Sequence, residues 1–259
     1  MTQDERLLEI QALLEQKRKI TLNDLCQHFE ISRDSARRDL VKLTQLPGIQ
    51  RIRGGAISAP VTPHATAYLQ KTMSQEKRDI GQAAANFVDP NDFILMDTGT
   101  TLSAMASYLR APLTVVTNSV DGLSALTKDS DANIGVHVLG GEFNPFHRAI
   151  LGTYAIQQLT KYRINKAFIG VCALSVHGVS TTSDLEASMK QAMIAQAEMT
   201  ILVCDSSKFD QQHFFHVCGF EQVDVIICDK TPPAAIANII SANDIELILT
   251  TPSIKSQRA

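Results

Sequence analysis

Two groups of residues in this 259-residue chain have the types and spacing to do chemistry. The first is Ser32-Arg33-Asp34-Ser35-Ala36-Arg37-Arg38-Asp39-Leu40, followed a little further on by Arg51-Ile52-Arg53-Gly54-Gly55. An arginine on a short helix can bond guanine bidentately in a DNA major groove, while neighbouring cations clamp phosphates. The second group is four small polar clusters, each directly after an apolar run: Asp97-Thr98-Gly99-Thr100-Thr101, Thr117-Asn118-Ser119, Gly140-Gly141-Glu142 and Asp205-Ser206-Ser207-Lys208-Phe209. Hydroxyls, glycine amides and a lysine together suit a phosphate or a sugar phosphate. Asp97, Glu142, Asp184 and Glu186 add acceptors for sugar hydroxyls. Singly, each cluster reads as a capped helix start or an Asx-turn. Four at one edge of one sheet read as a binding site.

The first group needs helices to hold it. Leu7, Ile10, Leu13 and Leu14 recur at helical spacing and predict a helix from Asp4 to Gln16. Lys17-Arg18-Lys19 closes it, either as a solvated terminus that complements the helix dipole or as a phosphate contact. Thr21, with Asp24 three residues later, predicts the cap of a second helix that buries Leu22, Leu25, Cys26 and Phe29. Glu30-Ile31 makes the turn, and Ser32 caps a third helix. On that helix Ala36, Leu40 and Leu43 share an inward stripe, opposite a face centred on Asp34, Arg38, Val41 and Gln45. Arg38 and Ser35 therefore face bases, and Arg33, Arg37 and Lys42 face phosphates. Residues 48–57 alternate polar and apolar and predict a two-stranded wing that carries Arg51 and Arg53.

The second group needs a sheet. Short apolar runs at Phe93–Met96, Leu113–Val116, Ile134–Leu139, Ala167–Val171, Ile201–Cys204, Val225–Cys228 and Glu246–Leu249 predict buried strands, most of them separated by helical patterns. That alternation predicts an α/β fold around a mostly parallel sheet. The expected organisation is a DNA-binding head over 1–57, a proline-bearing linker over 58–73 and an α/β body over 74–259.

Charge follows the same division. Residues 1–57 hold ten Lys/Arg against eight Asp/Glu, and the remainder holds 14 against 19. A basic head on an acidic body suits nucleic acid on one side only. The five cysteines form no Cys-x-x-Cys pair and read as buried free thiols; the seven histidines show no metal spacing. No metal, cofactor, targeting segment or membrane span is expected, and the expected location is the cytoplasm.

The head resembles the DeoR family of bacterial regulators. The resemblance rests on Ser32, Arg37, Arg38, Asp39, Leu40 and Leu43, and on Gly54-Gly55-Ala56 at the end of the wing. Ser35 and Ala36 stand where threonine and isoleucine are usual, and Arg53 where histidine is common. The body looks like the sensor domain of the same family, from the Asp97–Thr101 loop through Thr117-Asn118-Ser119, Gly140-Gly141-Glu142, Arg148 with Leu151-Gly152, Phe168-Ile169-Gly170 and Asp205–Phe209. The resemblance implies a winged helix-turn-helix head, a sensor fold similar to ribose-phosphate isomerases and amino-sugar-phosphate deaminases, and a phosphorylated sugar or related effector. It adds Arg148 and Gly152 to the effector candidates. It also points to Glu186 and Lys190, which are either ligand contacts or an i,i+4 ion pair.

The expected function is a non-enzymatic repressor of a sugar or carbohydrate operon. Its partners are operator DNA, a phosphorylated effector and further copies of itself as a dimer or tetramer. The alternative is a sugar-phosphate isomerase or deaminase carrying a DNA-binding head, with Asp184, Glu186 and Lys190 moving protons. In a third reading the body serves oligomerisation alone.

Overall fold

The computed structural model describes residues 3–17, 19–43, 49–52, 54–58, 73–110, 112–128 and 134–250. The chain divides into two compact units, residues 1–71 and 72–259. Most of the expected linker, together with Arg18, Gln45, Pro47-Gly48 and Arg53, lies outside the described residues.

The first unit contains α1 (Gln3–Lys17), β1 (Lys19–Thr21), α2 (Leu22–Phe29), α3 (Arg33–Leu43), β2 (Ile49–Ile52) and β3 (Gly55–Ser58). Ile10, Leu14, Ile20, Leu25, Ala36, Leu40, Leu43 and Ala56 form its core. Thr21 caps α2 reciprocally: its hydroxyl accepts from the Asp24 amide at 3.2 Å, and the Asp24 carboxylate accepts from the Thr21 amide at 2.7 Å. Glu30 turns the chain in the left-handed region at φ 52°. The Ser32 hydroxyl accepts from the Ser35 amide at 3.2 Å and starts α3.

The sheet of this unit has three strands in the order β1-β3-β2, not the expected two. Lys19, read as the end of a charge run, opens a strand and pairs with Ile57. Three residues between two helices are too few to show a period of two, so β1 left no signal of its own.

The second unit starts at α4 (Gln75–Ala85), capped by Ser74. The chain then runs through β4 (Phe93–Met96), α5 (Thr100–Ala106), β5 (Leu113–Thr117), α6 (Val120–Lys128), β6 (Ile134–Val138), β7 (Glu142–Asn144), β8 (Ala149–Leu151) and α7 (Thr153–Leu159). It continues with β9 (Ile164–Gly170), β10 (Ala173–Ser175), β11 (Gly178–Thr181), α8 (Asp184–Gln196), β12 (Ala197–Cys204), β13 (Phe215–Cys218), β14 (Val225–Cys228), α9 (Ala234–Ala242) and β15 (Glu246–Leu249).

All seven expected strands meet in one sheet, in the order β15-β14-β12-β9-β4-β5-β6. Every pairing within it is parallel. Side chains alternate between its two faces, and both faces are buried, as the continuous apolar runs require. Leu95, Val116, Ile169, Leu202 and Ile226 pack on one face with residues of α7, α8 and α9. Ile94, Val115, Phe168, Ile201 and Val225 pack on the other with residues of α4, α5 and α6. Two small antiparallel units, β7-β8 and β10-β11-β13, were not anticipated. The five cysteines are free, and Cys204, Cys218 and Cys228 are buried. Among the described residues no helix is long and apolar enough to cross a membrane.

Candidate functional site

In the first unit α3 buries Ala36, Leu40 and Leu43 and exposes Arg33, Asp34, Arg37, Arg38, Val41 and Lys42. For the described residues the two faces fall where the sequence placed them, except that Asp39 is buried as well. Arg38 runs back along its own helix, its Nε donating to the Asp34 carbonyl at 3.4 Å. Ser35 is half-buried, and its hydroxyl accepts from Ser32 Oγ at 3.0 Å, so Ser32 works as the helix cap. Arg33 and Arg37 line a cleft of about 600 Å³ with Thr21, Leu22, Asn23, Asp34 and Gly54. Two guanidinium groups beside the start of α2 suit the phosphate of a nucleic acid backbone. Asn23, which the sequence did not single out, belongs to this cleft. Arg51 lies on β2, and Arg53 is outside the described residues.

In the second unit the parallel sheet puts every strand's C-terminal end on one rim. Met96 pairs with Thr117, so Asp97 and Asn118 leave the sheet side by side. The structure gives the clusters at this rim unequal roles. Thr117 donates its hydroxyl to the Met96 carbonyl at 2.6 Å, and the same oxygen accepts from the Ser119 amide at 3.0 Å. The Ser119 hydroxyl accepts from the Gly122 amide at 2.9 Å. These two hydroxyls, expected to meet an effector, take part in holding the turn into α6.

Asn118 differs. It is buried, its Nδ2 donates to the Ile150 carbonyl at 3.2 Å, and its Oδ1 has no partner among the described residues. Beside it, Gly99 at φ 134° precedes α5 with no side chain capping the helix, and Thr98, Thr100 and Thr101 flank it. Gly152 at φ 97° precedes α7 in the same way. Gln158 clamps Gly140 through both amide atoms, accepting from its N–H at 3.1 Å and donating to its carbonyl at 2.8 Å. Gly141 and Glu142 follow, with Glu142 exposed at the start of β7. Lys208 is half-buried in a short 3-10 turn. That turn is anchored by Ser206, which donates to Asp229 through its amide at 2.6 Å and its hydroxyl at 3.0 Å.

The acidic candidates separate sharply. Glu142 and Asp184 are exposed, whereas Asp97 and Glu186 are buried and engaged. Asp97 Oδ2 accepts from the Gly170 amide at 3.1 Å and from the Lys190 ammonium, which also donates to the Gly170 carbonyl at 2.8 Å. Glu186 accepts from the Thr181 hydroxyl at 2.8 Å and pairs with His147 Nδ1 at 3.2 Å. Glu186 and Lys190 therefore do not form the ion pair that their spacing offered. Each reaches a different element from the same helix: α8 ties to the end of β4 through Lys190 and to the β7–β8 loop through Glu186.

Burial opposes the charge on Glu186, but the hydrogen bond with His147, the positive charges of Lys190 and His147, and the Thr181 hydroxyl outweigh it and bring the carboxyl down to about 2. Burial likewise opposes the Lys190 ammonium, and the negative charge of Asp97 above all holds its pKa above the ordinary lysine value. Arg148, an expected effector contact, donates from Nε to Asp121 at 2.6 Å and fastens the β7–β8 hairpin to α6. His147, Thr181, Gln158 and Asp121 are the residues that sequence reasoning missed. His147 had one available signal, its place next to Arg148, but its partner is 39 positions away.

Residues 6–61 match the family described as DeoR-like helix-turn-helix domain, and residues 72–230 match the DeoR C terminal sensor domain. The transcriptional repressor GlcR of Bacillus subtilis is 36% identical over 96% of this chain and 97% of its own length. The transcriptional repressor AccR of Agrobacterium fabrum is 31% identical over 88% of this chain and 90% of its own. The lactose phosphotransferase system repressor of Streptococcus mutans is 28% identical over 88% and 93%. Ribose 5-phosphate isomerase A of Neisseria gonorrhoeae overlaps 56% of each chain at 16% identity and a TM-score of 0.38, a likeness too loose to carry an argument.

Proposed function

The chain belongs to the DeoR family of DNA-binding transcriptional regulators, and from that premise we propose that it represses genes of sugar use and that a phosphorylated sugar or related metabolite, bound at the C-terminal rim of the parallel sheet, changes its affinity for operator DNA. The chain is a regulator, not an isomerase or deaminase, as its relatives over nearly full length are.

The observation that carries the effector site is the buried, unpartnered Oδ1 of Asn118. A buried acceptor without a donor costs about 1–3 kcal/mol, and a sugar hydroxyl supplies the donor. The uncapped turn at Gly99, with Thr98, Thr100 and Thr101, offers backbone amides and hydroxyls to a phosphate. Gly140, Gly141, Glu142, Gly152, Asp184 and Lys208 complete the rim. Asp97, Glu186 and Lys190 form its floor and act on the effector by holding these loops. In the head, base contact falls to Arg38 and Ser35, and phosphate contact to Arg33, Arg37, Lys42, Arg51 and Arg53. The protein acts in the cytoplasm as a dimer or tetramer, which places two heads on paired half-sites.

Thermal unfolding of the full chain against matched panels of phosphorylated and unphosphorylated sugars tests this reading. An effector at a hundred times its Kd adds about 2.7 kcal/mol to the state that binds it. The expected result is a rise in Tm with one phosphorylated sugar, lost in Asn118→Leu, together with a change in mobility of DNA from upstream of the gene. A panel that moves neither quantity would sink the proposal.

A further inference from the structure

Asp39 is fully buried on α3, the helix that carries the DNA-facing arginines. Arg6, on α1, grips it with two bonds, Nε to Oδ2 at 2.6 Å and Nη2 to Oδ1 at 3.3 Å. The Arg6 side chain is half-buried, 14% exposed. Among the described residues, the apolar core around α3 is Ile10, Leu14, Ile20, Leu25, Ala36, Leu40, Leu43 and Ala56. Apolar burial holds a helix down but is non-directional. Ala36, at the centre of the stripe, presents only a methyl group to that core. A two-pronged Arg–carboxylate contact has fixed geometry.

We infer that Arg6 is a positioning residue for sequence recognition: through its fork on Asp39 it sets the rotation of α3, and so decides where Arg38 and Ser35 meet the base edges. On a helical wheel Asp39 lies about 60° from Ala36, at the border between the buried stripe and the side that bears Ser35 and Lys42. That is where a directional contact controls roll. A roll of about 20° moves a side-chain tip about 6 Å from the axis by about 2 Å. Hydrogen bonds to bases tolerate only a few tenths of an ångström. Phosphate contacts by flexible, exposed cations absorb such a shift. The pair therefore acts on specificity and leaves general affinity for DNA in place.

The inference rests on the DNA-facing role proposed for α3, and the test separates the two. The full-length parent selects its preferred duplex from a random pool. Affinity for that duplex and for a scrambled duplex of the same composition is then measured across salt concentrations for the parent, Arg6→Lys and Asp39→Asn, with Tm measured for each. Lysine keeps the charge but cannot make the fork. The expected result for Arg6→Lys is a fall of about tenfold in the ratio of selected to scrambled affinity, about the worth of one bidentate base contact. Its affinity for the scrambled duplex and its salt slope stay at parent values. Asp39→Asn lowers the same ratio. A parent that selects no sequence refutes the DNA-facing role itself. An Arg6→Lys variant with the parent's ratio, or one that loses both affinities in step with its Tm, overturns the positioning role.

Discussion

Lys190 keeps its charge in the interior because Asp97 and the Gly170 carbonyl surround its ammonium. Taking away one partner strands the other. Lys190→Met leaves the Asp97 carboxylate buried without its cation, and the expected loss of stability is about 3–5 kcal/mol, read from the denaturant midpoint. Glu186 makes a prediction in pH. Its carboxyl falls from 4.5 to about 2 on folding, so the stability it contributes is fully present above pH 4.5 and disappears as pH drops toward 2. The whole effect is about 3 kcal/mol. Denaturant titrations at pH 7 and pH 3 should show the drop in the parent, and Glu186→Gln should be weaker at pH 7 with a flatter response below pH 4.5. An unchanged slope in Glu186→Gln would place the acid sensitivity elsewhere. At this scale the sequence was a good guide to residue types and a poor one to partners. It marked Asp97, Glu186 and Lys190, and the outward arginines of α3. It left Glu186 and Lys190 as either ligand contacts or a pair with each other, because four residues on a helix is a local distance. The true partners, His147 and Asp97, are brought in by the fold and have no local signature.

β3 shows how an element can depend on one absent side chain. A Cβ on Gly55 would overlap the Ile20 carbonyl oxygen and crowd the Thr21 Cα, both on β1. Gly55→Ala should push β1 off β3, lower the stability of the first unit by more than about 2 kcal/mol and abolish DNA binding. Gly54 is the control: it sits at φ 84° with nothing within 4 Å of an added Cβ. Gly54→Ala should cost only the backbone strain, about 1 kcal/mol. Circular dichroism melts of the two variants give the comparison, and equal losses would refute it. The same sheet marks the limit of sequence reading for elements. The seven strands of the large sheet are buried on both faces, so each announced itself as an apolar run. The β7-β8 and β10-β11-β13 pieces have strands of three or four residues, and they are specified by register with one another.

For the whole molecule the uneven charge is the organising fact. The chain carries −3 in total, yet its first 57 residues hold more bases than acids. Binding to DNA should release counterions in proportion to the phosphates neutralised, with a slope of log affinity against log salt of about −0.9 per phosphate. Five basic candidates in the head therefore predict a slope near −4 to −5 per head. Arg33→Gln or Arg37→Gln should each flatten it by about one unit without altering which sequence is preferred. Fluorescence anisotropy at several salt concentrations measures this, and a slope insensitive to both changes would remove those arginines from the phosphate contacts.

The rim of the large sheet combines a locked floor with free edges. Asp97, Glu186 and Lys190 are buried in contacts with Gly170, Thr181 and His147, while Glu142 and Asp184 stand exposed. A scaffold divided in this way can change allegiance without being rebuilt. New small molecules can be accommodated by rewriting a few edge residues, each nearly neutral for folding, while the charges that hold the loops in place stay untouched.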